Sequence, residues 1–311
     1  MQFRYRISVI LLGVSLALPA FADQALVDAF TKTNRSTKWE MASKTKVNFP
    51  TFHPQGMTRI GDEIFVSSVE IIEPTEKFDT PQGGMDRTAG KGKGHLFKMS
   101  PDGELLDQVV LGEGDIYHPG GIDYDGEFIW VPVAEYRPNS NSIVYKVNPK
   151  TMKAEEVFRY PDHIGGILHD VSTSKLHAVS WGSRRFYAFD LAKDGSVSNA
   201  DTPREDLMVA NPAAYIDYQD CQLAIPGMAL CNGVAEYTMG EQKFRLGGVD
   251  LVDLAQNRAV HATPIPVWTE SGLDMPHNPA YMEATETGLR GYFMPEDDES
   301  TLYVLEAKLE D

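Results

Sequence analysis

The sequence predicts an all-β protein folded as a β-propeller of five four-stranded blades, closed by a strand from its N-terminal end. Three observations predict this: a spaced repeat of turn glycines and acids, a histidine-bearing landmark ahead of most of those turns, and strand-like runs that recur as units of about 45 to 65 residues.

The turn repeat sets the frame. Glu70 follows Gly61, Glu135 follows Gly126 and Glu236 follows Gly227, each by nine positions, and Asp297 follows Gly288 at the same spacing. β-Branched and aromatic residues fill the intervals, as they do in half-buried strands. Eight residues ahead of Gly61 stands His53, in His-Pro-Gln-Gly-Met, and eight ahead of Gly126 stands His118, in His-Pro-Gly-Gly-Ile. His163 and His277 open looser copies, while the same count back from Gly227 lands on Gln219. Third strands follow at 143–147, 185–189 and 302–305, and fourth strands at 105–111, 155–160 and 259–264.

Turn landmarks near residues 61, 126, 174, 227 and 288 count five units. The alternative, six blades, needs one hidden in the first interval, where residues 73–94 form a stretch rich in Gly, Pro and charge that reads as a loop. The last unit runs out of chain after its third strand. Residues 38–48 supply the missing outer strand, which leaves no open sheet edge.

Ahead of the propeller, residues 1–22 read as a secretory leader: Arg4 and Arg6, an apolar run over 7–18, and Ala20-Phe21-Ala22 as a cleavage signal. The run is too short for a resident membrane span. The expectation is a periplasmic or secreted protein with no integral membrane segment, residues 23–37 forming a short helix and linker, and 38–311 the propeller. The net charge is −17, from 28 basic and 45 acidic residues, and becomes −19 once Arg4 and Arg6 are removed. That field repels phosphate backbones, so nucleic acid is excluded as a partner and a small-molecule ligand or substrate is favoured. Cys221 and Cys231 flank a turn signal at 225–228. Export predicts a cross-strand disulfide between them. A two-residue turn would set Cys231 opposite Gln222, so the bridge requires a bulge or a three-residue turn; two buried thiols are the alternative.

Propeller geometry turns the repeat into a site. The inner strand of each blade starts at one face of the ring and the second strand returns to it. His53, His118, His163 and His277 therefore converge on one mouth of the central channel, with Gln219 in the fifth place. Glu70, Glu135, Glu236 and Asp297 stand around them, and Trp181 with Gly182 takes the acid's place in blade three. Converging imidazoles suit Fe, Zn, Cu or Ni, with Glu70, Glu135 or Glu236 as general base and Gln219, Trp181 and Asp297 contacting a ligand. Two other readings stay open: His-Pro-x-Gly as turn grammar that swings the backbone toward a crowded axis, and a metal-free ligand site. His95, His169, His177 and His261 fall inside strands and read as ordinary. The 73–94 segment leaves blade one at the same mouth, as a lid or as a solvated loop. Its Gly84-to-Lys91 stretch fails as a phosphate loop, because five residues separate the glycines and Gly92 replaces the needed Ser or Thr. No Gly-x-Ser-x-Gly elbow is present.

On these motifs, His53 to Met57, His118 to Gly126 and Trp181-Gly182, the chain resembles a family of uncharacterised exported bacterial β-propellers, a domain of unknown function, over residues 38–311. More distantly, Pro54 to Met57 is similar to blade openings of five-bladed glutaminyl cyclases, though Pro119-Gly120-Gly121 stands where that family places its glutamate beside a glycine. Glu70, Glu135 and Glu236 resemble the three channel carboxylates of five-bladed furanosidases, whose first blade opens with aspartate instead of His53. Six-bladed gluconolactonase-type propellers hold calcium through Glu, Asn and Asp, which imidazoles suit poorly. The expected function is a metal-assisted enzyme, a hydrolase, working at the mouth; the alternative is a non-catalytic propeller binding a small ligand or a protein partner there.

Overall fold

Each turn glycine folds a hairpin between the first and second strands of a blade. Gly61 and Gly227 hold φ of 60° and 78°, a region open to glycine and costly to residues with a Cβ. The computed structural model describes residues 23–213 and 215–309, so the leader expected over 1–22 lies outside the described residues. The sheets form a five-bladed propeller. Blade one comprises His53–Ile60, Glu63–Glu73, Lys91–Met99 and Leu105–Leu111; blade two, Ile116–Pro119 with Asp123–Tyr124, Ile129–Glu135, Ser142–Val147 and Ala154–Tyr160. Blade three comprises Ile164–Asp170, Lys175–Ser180, Arg185–Asp190 and the short Val209–Ala210; blade four, Asp217–Ile225, Met228–Met239, Gln242–Asp253 and Arg258–Pro264. Blade five has Ala280–Thr285, Gly288–Phe293 and Thr301–Lys308, completed by Glu40–Lys46 from the N-terminal end.

The ring closes as the unit count requires. Glu40–Lys46 runs antiparallel to Thr301–Lys308, pairing Met41 with Leu305 and Thr45 with Leu302. Apolar side chains then fill the gaps between neighbouring blades. Phe65 and Leu96 of blade one meet Ile129 and Val131 of blade two, and across the closure Met57 and Met99 meet Tyr292 and Leu302.

Residues 23–37, expected as a helix and linker, do more than connect. Asp23 caps the helix Gln24–Lys32 by accepting a hydrogen bond from Leu26 N at 3.1 Å. Leu26, Val27 and Phe30, spaced for one helix face, are buried against Leu230, Val249, Ala280 and Leu289 of blades four and five. The helix is thus part of the core that seats the closing blade. Cys221 and Cys231 are bridged and stand directly opposite each other. The register slips between Leu223 and Ile225, which is the bulge that the turn arithmetic demanded. Closing so short a loop is worth about 2–3 kcal/mol in the chain-entropy picture. Among the described residues no helix is long and apolar enough to cross a membrane.

At the axis the blades meet backbone to backbone. Gly121 N donates to Gly165 O at 2.9 Å and Ile167 N donates to Gly121 O at 3.2 Å. A Cβ on Gly120 would stand 2.2 Å from Gly165 O, and one on Gly56 2.6 Å from Ile122 N. Asp220 of blade four is buried in this knot. Its carboxylate accepts from Met57 N of blade one at 2.6 Å, from Ile122 N of blade two at 2.9 Å and from Cys221 N at 3.1 Å. Asp123 of blade two reaches back to accept from Leu223 N of blade four at 3.0 Å. Burial pushes the carboxyl of Asp220 well up, and that of Asp123 to about 8.

Two outcomes follow for stability. Asp220→Ala leaves two inter-blade amides buried without acceptors and should lower the unfolding free energy by about 2–6 kcal/mol, at roughly 1–3 each, while Asp220→Asn keeps one acceptor and loses less. Equal losses in denaturant titrations would remove the axial carboxylate from its role. Phe30→Ala should lose about 3–5 kcal/mol; a change within about 0.5 kcal/mol would mean that the helix does not hold the closing blade.

Candidate functional site

A pocket of about 220 Å³ opens at the channel mouth, room for several waters or one small molecule. Its wall is built by the starts of the inner strands. His53, His118 and His163 line it, as do Trp181 and Gln219. The rings of His53 and His118 lie 6.4 Å apart between centroids, and those of His118 and His163 5.7 Å apart.

The three imidazoles have different partners. His53 Nδ1–H donates to Asp297 Oδ1 at 2.7 Å, while the Gln55 amide nitrogen sits 2.8 Å from His53 Nε2, so both ring nitrogens are engaged. His163 Nδ1 donates to the main-chain carbonyl of Glu135 at 2.8 Å, which fixes its tautomer and leaves Nε2 as a bare acceptor. His118, only 4% exposed, stacks on Tyr136 at 4.1 Å, and neither of its ring nitrogens has a hydrogen-bond partner among the described residues. Burial pushes the imidazole of His118 well below the usual histidine range and that of His163 down to about 4. Both are neutral at pH 7.

His277 stands apart. It ends the short turn Met275–His277, does not line the pocket, and feels the charges of Arg245, Asp274, Asp297 and His53. The four-histidine ring expected from the sequence is therefore three imidazoles at the mouth and a fourth beside it. Among the described residues no group of three or more His, Cys, Asp or Glu side chains is placed to hold one ion. His53 would have to give up Gln55 or Asp297 to join one.

The expected carboxylates also part company with the histidines. His53 pairs with Val69 and His118 with Ala134 across their strands. Side chains alternate along a strand, so Glu70 and Glu135, one residue on, point to the opposite blade face. Glu70 meets Lys93 and His95, each at 3.3 Å. Buried Glu135 holds Arg137 and Asn141, both at 2.7 Å. Glu236 sits on an exposed hairpin with Lys243 and Arg245 at 2.8 and 3.2 Å. Asp297 keeps its place beside the mouth through His53 and Asn278.

Bulges account for the register at blade four. One interrupts blade one at Gln55 and another blade four at Gln219. Gln219 thus matches Gln55, and Asp217 occupies the histidine place that the sequence count gave to Gln219. Asp217 lines the pocket and is tied to Arg184.

Sequence reasoning also missed Arg87. Residues 73–94 are not an open loop; they carry a hairpin of Lys77–Gln82 and Met85–Arg87. Asn139 Nδ2 fastens its tip by donating to Gly84 O at 2.6 Å. Arg87 lines the pocket, its guanidinium held by Asp86 at 2.8 and 2.9 Å and set 4.9 Å from the Trp181 ring centre. Trp181 in turn meets His163 edge-on at 4.8 Å. Of the strand histidines beyond the mouth, His169 holds Asp125 at 2.7 Å and His261 the carbonyl of Thr33 at 3.0 Å.

A family model described as a family of unknown function, DUF6454, matches residues 13–311. No curated protein matches the chain. Among solved structures, a hypothetical protein from Leishmania major is similar over 87% of this chain and 95% of its own, at 11% identity and a TM-score of 0.51. A luciferin-regenerating enzyme aligns over 86% of this chain and 96% of its own, at 9% identity and a TM-score of 0.45. The first is a likeness of fold alone, and the second is too loose to carry even that.

His163 gives the site a measurable pH signature. Its folded-state pKa of about 4 lies below the unfolded value near 6.5. The unfolded state therefore binds the proton first, and stability is full above about 6.5 and lost as pH falls toward 4. Asp123, raised to about 8, opposes this trend over the same range, so the comparison needs a variant. The stability of the wild type relative to His163→Gln should fall by about 3 kcal/mol between pH 7 and 4. A difference independent of pH would show that His163 is not held neutral.

Proposed function

The chain belongs to that family of unknown function, so its activity has to be read from the mouth, and we propose that the protein binds a small polar molecule there through His118 and His163. The observation that carries this reading is His118: an imidazole 4% exposed, facing a pocket, with neither nitrogen partnered among the described residues. A buried polar atom left unpaired costs about 1–3 kcal/mol, and a ligand offering one acceptor and one donor removes that cost. The free Nε2 of His163 supplies a second acceptor 5.7 Å away, ring to ring. Gln219 and Arg87 complete a polar wall over the aromatic faces of Tyr136 and Trp181. The Cys221–Cys231 bridge suits an oxidising, periplasmic or secreted setting.

A second reading, the metal-assisted hydrolase, is favoured by the same nitrogens, since neutral imidazoles are transition-metal ligands. His118 and His163 would hold Fe, Zn, Cu or Ni, which supplies an activated water. A proton acceptor is harder to find, because Glu70, Glu135 and Glu236 are each tied to cations and Asp217 to Arg184. Binding without chemistry is therefore the stronger reading.

Melting temperatures of the untagged wild type and of His118→Phe, measured with a panel of small metabolites and with Zn²⁺, separate the two. Saturating ligand adds RT ln(1 + [L]/Kd), about 2.7 kcal/mol at a hundredfold excess. The expected result is an organic compound that raises the wild-type melting temperature by several degrees and leaves His118→Phe unmoved. A response to Zn²⁺ alone, reversed by chelator and lost in His118→Phe, selects the hydrolase. Identical behaviour of the two proteins throughout would take His118 out of the site.

A further inference from the structure

We propose that the protein forms a two-fold dimer through the hairpin that carries blade four beyond the rest of the ring. The second and third strands of that blade, Met228–Met239 and Gln242–Asp253, outrun their neighbours. The first strand pairs no further than Asp217 with Val234, and the fourth no further than Pro264 with Gly248. Residues 235–246 therefore stand alone as a two-stranded ribbon, turned at Gly240, whose φ is 63°. At strand rise, the five residues past Val234 carry it about 16 Å beyond the four-stranded part of the blade.

One face of the ribbon is apolar. Ala235, Tyr237 and Met239 alternate onto one side of its first strand, and Leu246 and Phe244 lie across from the first two. Glu236, Lys243 and Arg245 take the other side, where Glu236 accepts from both cations. The apolar face continues the seam between blades three and four, in which Ala229, Cys231, Ala235 and Val252 share a buried cluster with Leu168, Val179 and Phe186. Blade three runs out below the ribbon. Its Ser183 Oγ accepts at 3.2 Å from the main-chain nitrogen of Tyr218, which pairs with Gly233, and its fourth strand is only Val209–Ala210. Past that level Tyr237 is 49% exposed, Phe244 47%, Leu246 51% and Met239 66%.

A two-stranded ribbon is marginal in water unless its apolar face rests on something. Four large side chains, each about half exposed, present roughly 400 Å², the size of patch that marks an interaction site. That is about half of the ~800 Å² that each partner brings to a stable interface, and the rest falls to a polar rim. A second copy of the chain fits both the shape and the charge. A projecting face with its charges confined to the reverse side packs on its own copy about a two-fold axis, and such a contact closes at two subunits. The chain carries a net charge of −17, so two rings in direct contact repel. Arms about 16 Å long keep them apart by more than the ~8 Å over which physiological salt leaves charge unscreened.

Sedimentation equilibrium of the purified protein over about 1–100 µM, a range that spans a micromolar Kd, tests this. The mass of the wild type should rise to twice that of one chain. Phe244→Glu sets a charge in the middle of the face and should weaken association at least about a hundredfold, while Phe244→Leu and, on the reverse side, Lys243→Gln keep the dimer. All three should retain the wild-type far-UV spectrum, since the ribbon lies outside the four-stranded sheet. A wild type that stays monomeric at about 100 µM overturns the proposal and leaves the face to a different partner. A dimer that survives Phe244→Glu, or association that runs past two copies, overturns it as well.

Discussion

The fold depends on the close approach of four blades at the axis. Gly56, Gly120, Gly121 and Gly165 let their backbones touch, and Asp220 gathers the amides of Met57 and Ile122 that this contact would otherwise strand. Asp123 repeats the arrangement in the other direction through Leu223. Burial raises the pKa of both carboxyls, and the neighbouring Asp123 adds to the rise at Asp220. The inter-blade apolar seams can close around the ring only because its centre has collapsed to backbone.

That collapse also makes the site. With the channel filled by glycine backbone, the residue two positions ahead of each bulge is left facing the mouth. His53, His163 and Asp217 occupy that place in three blades, and His118 lines the mouth from blade two. The turn-grammar reading of His-Pro-x-Gly and the site reading therefore concern different atoms of the same motif. Pro and Gly serve the axis, and the histidine ring serves the pocket.

The pocket is finished by elements outside the repeat. The blade-one hairpin brings Arg87 over Trp181, and Asn139 of blade two holds that hairpin at its tip. At its base, Tyr117 of blade two donates to Ala89 O, just past the hairpin. Charges at the rim are paired internally, Arg87 with Asp86 and Arg184 with Asp217, so the unpaired polar capacity lies with the neutral imidazoles.

By itself the sequence determined the blade count, the closing strand and the disulfide. Each follows from local chemistry: turn glycines at a fixed spacing, a unit one strand short, and two cysteines flanking a turn. It also marked His53, His118, His163 and Trp181, because a repeat converts position in the chain into position around a ring. Only the tertiary structure decided which atoms face the pocket. Strand alternation turned Glu70 and Glu135 aside, a bulge of one residue moved Gln219 out of the histidine place and Asp217 into it, and the turn at Met275–His277 kept His277 out of the pocket wall. A bulge or a turn shifts a side chain from one face to the other without altering the composition or spacing that sequence patterns record. Arg87 was illegible for a related reason: it belongs to no repeat, and its place over Trp181 is set by contacts between segments far apart in the chain.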